Sequence, residues 1–417
     1  MLPERVETLI VGGGQAGLTM SHMLKQRGCP HFVLEQARAF ERWRSERWDG
    51  LRFQFPNWSV ELPDFPFCDA DPDGFATSAE IVDYLDAYVK FVKPPGYCGV
   101  KVTGLRRDEA RKLLVAETSA GSILARNVVL ATGPYQRPVI PEALAGDIDL
   151  FQVHANAYKR PDQLPAGAVL IVGSGASGSQ IAEELSRAGR QVYLSVGRHK
   201  RMPRRYRGRD LSWWLREMEV EQTPVEQRGP DTTLPLITGA YGGHTIDFRE
   251  FAAQGITLVG RLKAARDGIL HFAADLRESL DYGDAAYNAF VQRMDGFIEQ
   301  RKLQLPAEIR AQVTDLTSIA DSMRELDIRA AGLTSVIWAT GYTFDFRWID
   351  LPVLDEKGEP VHDHGVARVP GIYFLGLPWL SRMNSSFLSG VGADAARLAD
   401  HIHAAARSRQ PERLSAH

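Results

Sequence analysis

Cysteine is scarce in this chain. Cys29, Cys68 and Cys98 are the only three in 417 residues, too few and too scattered for a disulfide framework. No CxxC pair is present, which argues against a dithiol reductase. No stretch reaches the roughly 20 apolar residues of a membrane span. The short apolar run at the N-terminus leads straight into a glycine turn, so it reads as a first strand and not as a signal peptide. Neither sign of charge dominates. The 49 Lys and Arg against 52 Asp and Glu leave a net −3, which gives no pull toward nucleic acid or an anionic membrane. Low-complexity segments and solenoid repeats are missing, as is any convincing Ser/His/Asp or metal constellation. His362-Asp363-His364 is an alternating pair that reads as solvated, and no metal is expected. What remains is the composition of a soluble globular protein, 44% hydrophobic and 24% charged. It is long enough for two or three domains. The expected location is the reducing cytoplasm, and an oligomer stays open.

Against these absences stand two glycine fingerprints of one kind. The first is Gly12-Gly13-Gly14-Gln15-Ala16-Gly17 and the second Gly173-Ser174-Gly175-Ala176-Ser177-Gly178. Each fits GxGxxG, follows an apolar run (Thr8 to Val11; Val169 to Val172) and opens a helix-like stretch (Leu18 to Arg27; Gln180 to Ala188). In such a turn Gly12 and Gly173 permit the tight bend. Gly14 and Gly175 let a pyrophosphate approach, and Gly17 and Gly178 let helix and strand pack. Gln15, Ala16, Ala176 and Ser177 lie at the helix starts, where free amides and the helix dipole favour a phosphate. Two such units in one chain suggest two dinucleotides that exchange electrons.

The two units differ past their glycine turns. Residues 6–11, 31–35 and 127–131 read as strands of the first. Glu35, with Gln36 beside it, ends the second of these strands about 20 residues past the glycine turn, where a dinucleotide fold places an acid on a ribose hydroxyl. That suits FAD. In the second unit, the strand Gln191 to Leu194 ends in Ser195, with no acid. Then come Arg198, His199, Lys200, Arg201, Arg204, Arg205, Arg207 and Arg209. Guanidinium and ammonium groups can hold a 2′-phosphate, so Arg198, Lys200 and Arg201 are the candidates for NADPH.

Residues 78–92 read as a capped amphipathic helix. Residues 36–75 are aromatic-rich and irregular, as in a loop that covers something flat. A Pro/Gly linker at 161–167 precedes the second fingerprint. A divergent, mainly helical section comes after it at about 205–325, where Tyr287, Phe290, Val291, Met294, Phe297 and Ile298 take helical spacing and read as core. The strand-like Ser335 to Trp338 with Ala339-Thr340-Gly341-Tyr342 repeats the pattern of Asn127 to Ala131 with Thr132-Gly133. It is expected to return the chain to the first domain. A strand at Ile372 to Leu375 and a helix from Val391 to Ala405 close it.

These residues resemble the flavin-containing monooxygenase superfamily, which includes the Baeyer–Villiger enzymes and the plant indole-pyruvate monooxygenases. The resemblance rests on Gly12/Gly14/Gly17, Gly173/Gly175/Gly178, both Ala-Thr-Gly segments and the marker FxGxxxHxxxY/F. Of that marker the chain keeps His154 and Tyr158, with Ile148 in place of the Phe and Leu150 in place of the Gly. It implies an α/β fold of two Rossmann-like dinucleotide-binding domains. The NADP domain (166–332) would be inserted in a discontinuous FAD domain (1–165 and 333–417). By the same resemblance Gln54 falls near the family's flavin-facing Asn, Arg44 and Trp48 match positions beside FAD, and Gln136 and Arg137 lie near the nicotinamide. Asn384 to Gly390, with Ser389, precedes a helix whose N-terminus would face the flavin.

The implied activity is an NADPH-dependent FAD monooxygenase that places one oxygen atom from dioxygen on a small organic substrate, through a C4a-peroxyflavin. An NADPH oxidase or reductase without oxygen insertion, and a non-catalytic nucleotide-binding accessory flavoprotein, stay open beside it.

Overall fold

Strand Arg5–Val11 buries Thr8, Leu9, Ile10 and Val11 in succession, the near-continuous apolar run of a strand covered on both faces. It is the centre of a parallel sheet. Gly121–Leu130 and His31–Glu35 flank it, Ile372–Phe374 extends one side and Gly96–Cys98 the other. An antiparallel meander, Val102–Asp108 and Leu113–Thr118, leads into Gly121–Leu130. Helix Gln15–Gln26 packs between helices Ser78–Val92 and Val391–Arg407. Helix Ser78–Val92 starts in a capping box, Thr77 accepting from the Glu80 amide while Glu80 accepts from the Thr77 amide. The computed structural model describes residues 2–231, 233–308 and 323–408. Of the section expected over 205–325, residues 232 and 309–322 lie outside the described residues, as do 409–417 of the expected C-terminal return.

The second sheet is wholly parallel, in the order Phe151–His154, Leu333–Trp338, Ala168–Val172, Val192–Ser195, Thr257–Val259. Two parallel sheets with glycine turns after their central strands make the α/β, doubly Rossmann-like fold that the sequence implies.

Sheet pairing shifts the expected boundaries at 165/166 and 332/333. Phe151–His154 and Leu333–Trp338 pair with each other, and the latter with Ala168–Val172, so both belong to the second sheet. Buried Trp338 fixes this placement by donating its indole N–H to Gln152 at 2.9 Å. The chain returns to the first sheet only after the second Ala-Thr-Gly turn. The 205–325 section is also less helical than expected. Besides helices Leu211–Glu217, Phe248–Ala253 and Leu276–Arg301, it holds strand Thr257–Val259 and the hairpin Leu262–Arg266/Ile269–Phe272. Asp267 and Gly268 turn that hairpin with φ of 50° and 76°, the two left-handed residues of a type I′ turn. The helically spaced Phe290, Val291 and Met294 pack with Trp214, Leu211 and Tyr206 as core.

Candidate functional site

The glycine turns are near duplicates. Gly12 has φ 116° and Gly173 φ 105°. A Cβ on Gly12 would lie 2.4 Å from the Ala131 carbonyl oxygen, and one on Gly173 would lie 2.5 Å from that of Ala339. Each turn is therefore pressed against its Ala-Thr-Gly segment, and no side chain fits between. A Cβ on Gly17 or Gly178 would lie 1.9 Å from the carbonyl oxygen of Gly12 or Gly173, so these glycines let each helix meet its turn. Space beside Gly14 and Gly175 is open. Neither helix carries a side-chain cap or an acid in its first turn, which leaves the positive end of each dipole for an anion.

Both turns open on one cavity of about 1410 Å³, larger than the roughly 300–1,000 Å³ usual for a single small ligand. Gly12, Gly14, Gln15, Ala16, Glu35, Gln36, Trp48, Gln54, Thr132, Gly133 and Gln136 line its first-unit side. Gly175, Ala176, Ser177, Arg198, Ala339, Gly341 and Tyr342 line its second-unit side, and Ser389 joins from the C-terminal segment. Glu35 holds the first turn by accepting from the amides of Gly13 (2.6 Å) and Ala37 (2.9 Å). Gln15 donates to the Ser386 carbonyl at 2.6 Å and so ties the turn to the segment before the last helix.

The aromatic loop forms a wall. Trp43, Phe53, Phe55 and Phe387 succeed one another at ring separations of 5.8, 5.7 and 5.6 Å, and all four line the cavity. Trp48 and Leu51 of the same loop pack with Val153, Ala155 and Tyr158, so the loop fastens the first unit to the second. His154 reinforces the join. Its Nε2 lies 3.1 Å from the Gly341 carbonyl oxygen, and its Nδ1 sits against Asn156, 2.9 Å from Oδ1 and 3.2 Å from the amide nitrogen. Two residues of the marker motif thus act as structural ties.

Several candidates point elsewhere. Arg44 pairs with Asp86 and donates to the Ala39 carbonyl, turning from the cavity toward helix Ser78–Val92. Arg137 is exposed, its backbone paired with Thr343. Thr340 donates to the Val139 carbonyl. Gln136 lines the cavity, but its amide is used in bonds to Thr132, Gly133 and the Asp345 amide. Ser195 is buried, donating to the Gly260 carbonyl (3.0 Å) and accepting from the Leu262 amide (3.1 Å). Arg201 is buried between Asp247 and Asp284, with its guanidinium over Tyr287. Lys200 pairs with Asp231 at 2.9 Å. Of the basic run 198–209, Arg198 and His199 line the cavity.

The cavity wall also holds Gln180 and Glu221, which the sequence did not single out, and Asn384, which it named only as the start of the segment before the last helix. Gln180 and Asn384 are buried, and their Oε1 and Oδ1 atoms have no hydrogen-bond partner. Such atoms are open to a donor from a bound molecule or an ordered water. Gln180 sits one turn into the helix after the second fingerprint, a signal available in retrospect. Glu221 lines the wall, its carbonyl accepting from the Asn384 amide at 3.1 Å. Burial pushes its carboxyl above the usual carboxylate range, against the pull of Arg216. Burial likewise raises the Tyr342 phenol and lowers the His199 imidazole. Among the described residues no group of three or more His, Cys, Asp or Glu is arranged for a metal ion, and no helix is long and apolar enough to cross a membrane. Two glycine cradles and two uncapped helix starts on one cavity fit a flavin and a nicotinamide dinucleotide.

Comparison with known proteins agrees with this geometry. Residues 9–223, just over half the chain, match the family described as pyridine nucleotide-disulphide oxidoreductase. An uncharacterized oxidoreductase, CzcO-like, from Geobacillus kaustophilus is 32% identical over 95% of this chain and 98% of that protein. The probable indole-3-pyruvate monooxygenase YUCCA9 of Arabidopsis thaliana is 32% identical over 43% of this chain and 44% of that protein. Among solved structures, a flavin-containing monooxygenase from Stenotrophomonas maltophilia superposes with a TM-score of 0.65 at 20% identity, covering 97% of this chain and all of that one. The chain therefore belongs to the pyridine nucleotide-disulphide oxidoreductase family, and within it is consistent with the flavin-containing monooxygenase superfamily that its motifs resemble.

Proposed function

We propose that the protein is an NADPH-dependent FAD monooxygenase acting on a small organic substrate. The observation that carries this reading is the single cavity on which both glycine turns open, with the aromatic wall between them. FAD would lie on the first turn, its ribose at Glu35. NADPH would lie on the second, its adenosine end near Arg198. When bound, the flavin supplies the redox chemistry, taking a hydride from the nicotinamide and passing one oxygen atom of dioxygen to the substrate. The chain's own residues bind and orient. The Trp43–Phe53–Phe55–Phe387 wall excludes water, and Gln54 and Asn384 offer hydrogen-bonding groups on the flavin side. Glu221, raised by burial, can exchange a proton at its carboxyl oxygen with a substrate nearer neutral pH than an exposed acid could.

The disulphide branch of the family is the second reading, and a specific observation counts against it. None of the three cysteines lines the cavity, so the chain offers no thiol there to a disulfide substrate.

The test is to supply NADPH and ¹⁸O-labelled dioxygen to the FAD-loaded protein with a panel of sulfides, amines and cyclic ketones. Labelled product supports the monooxygenase. Peroxide equal to the NADPH consumed, with every substrate, replaces it by an oxidase. No flavin reduction by NADPH overturns both.

A further inference from the structure

Beyond the end of strand Val192–Ser195 lies a compact cluster of donors gathered on one carboxylate. The Lys200 ammonium stands 2.9 Å from Asp231. The Tyr282 hydroxyl, on helix Leu276–Arg301, donates to the same Asp231 oxygen. The Thr233 amide donates to the other oxygen at 3.0 Å. Arg198 caps the group, its guanidinium 4.2 Å over the Tyr282 ring. Three separate segments thus converge on Asp231. The cluster borders the cavity, since Arg198 and the segment after Asp231, Thr233 to Leu236, line it. That segment is pinned to the strand-end loop by the Leu236 amide, which donates to the Lys200 carbonyl at 2.9 Å.

An ammonium, a phenol, a backbone amide and a nearby guanidinium form a donor set for an oxyanion, and a phosphate monoester would take these same groups. The cluster stands just past the second strand of the second unit, where a dinucleotide fold places the adenosine ribose. We propose that Asp231 is an internal occupant of the 2′-phosphate site, and that its displacement sets the chain's preference between NADPH and NADH. The proposal rests on the reading that the second unit binds NADPH.

Charge balance gives the direction of the effect. Lys200 and Arg198 carry two positive charges, and Asp231 cancels one. A 2′-phosphate therefore meets a half-neutralised site and must compete with a tethered carboxylate. Its hydrogen-bond donors, Tyr282 foremost, hold the Asp231 carboxyl far below the usual range against burial, so mild acid does not vacate the site. The side chains of Asp231 and Lys200 are 35% and 29% exposed, within reach of an incoming nucleotide. A nucleotide with a free 2′-hydroxyl has no anion to place there and is indifferent to the carboxylate.

The test is calorimetric binding of 2′,5′-ADP and of 5′-AMP to the FAD-loaded protein and to its Asp231→Ala variant, with Tm as a control for folding. The variant is expected to bind 2′,5′-ADP about tenfold more tightly, with 5′-AMP unchanged. Adding Lys200→Met should abolish the gain. If 2′,5′-ADP outbinds 5′-AMP equally in wild type and variant, the proposal fails and the NADPH reading stands. If the variant instead loses affinity for 5′-AMP, Asp231 holds a ribose hydroxyl and the proposal is overturned. If neither protein distinguishes the two nucleotides, the NADPH reading falls with it.

Discussion

Tyr158 donates its phenolic hydrogen to Glu184 at 3.1 Å, joining the segment before the second glycine turn to the helix which that turn opens. The phenol is fully buried. Burial raises the Glu184 carboxyl above its ordinary range, and the Tyr158 hydrogen bond partly offsets the rise. A Cβ on Gly50 would lie 2.3 Å from the same carboxylate, so the aromatic loop presses on this pair from the other side.

Tyr158→Phe should cost about 1–3 kcal/mol by leaving a half-buried carboxylate without its donor. Glu184 would titrate higher still in the variant. The loss in Tm relative to wild type should then be greater at pH 8, where the carboxylate is charged, than at pH 5.5, where more of it is protonated. A loss independent of pH would show that only packing had been disturbed.

Gly12→Val should give protein that purifies without flavin. Its side chain would run into the Ala131 carbonyl, 2.4 Å from the Cβ position, at a φ of 116° that valine does not tolerate. Flavin absorbance per protein reads the outcome, and a yellow variant would remove FAD from the first turn.

Arg198 and Arg201 stand close in sequence and should behave oppositely. Arg198→Ala should raise the KM for NADPH about tenfold or more while sparing NADH, since a hydrogen bond to a charged group contributes about 1.5–3 kcal/mol. Arg201→Ala strips Asp247 and Asp284 of a buried cation. It should cost about 3–5 kcal/mol of stability, seen as a fall of several degrees in Tm. Equal Tm values for the two variants would contradict this division.

His244 offers a pH test in the second unit. It lies 2.9 Å from Glu183, which is buried and also pairs with Arg187. The Glu183 hydrogen bond raises its pKa above 6.5, with burial opposing. A raised folded-state value contributes stability fully present below 6.5 and lost as pH climbs through that value. The Tm advantage of wild type over His244→Gln should therefore be largest near pH 6 and shrink by pH 8.5. A constant advantage would mean that the imidazole titrates normally.

The glycine turns, their strands and helices and the last helix were legible because backbone geometry at those points admits few residue types. The place of Glu35 at the strand end beside the first turn was legible too, but not its bonds to the Gly13 and Ala37 amides. Charge partners were not. Arg201 reads as a candidate for the 2′-phosphate until the chain brings Asp247 and Asp284 to it from 46 and 83 positions away. Leu333–Trp338 reads as part of the first sheet because its repeat of the first Ala-Thr-Gly segment describes a turn, and turns do not specify a strand's neighbours. Orphaned acceptors such as Asn384 Oδ1 leave no pattern in one dimension. The hairpin at Asp267-Gly268 did leave one, in a short dipeptide between two apolar pairs.

The pairing within the basic run has a kinetic consequence. Lys200, Arg201, Arg204 and Arg207 each face a carboxylate, from Asp231, Asp247 with Asp284, Asp210 and Asp295 respectively. Seen from beyond a Debye length, about 8 Å at physiological salt, each pair is a dipole and not a charge. These four cations therefore add little long-range attraction for a polyanionic nucleotide, and any steering falls to Arg198, Arg205 and Arg209. Selectivity between nucleotides is then exercised after contact, in how fast each one leaves.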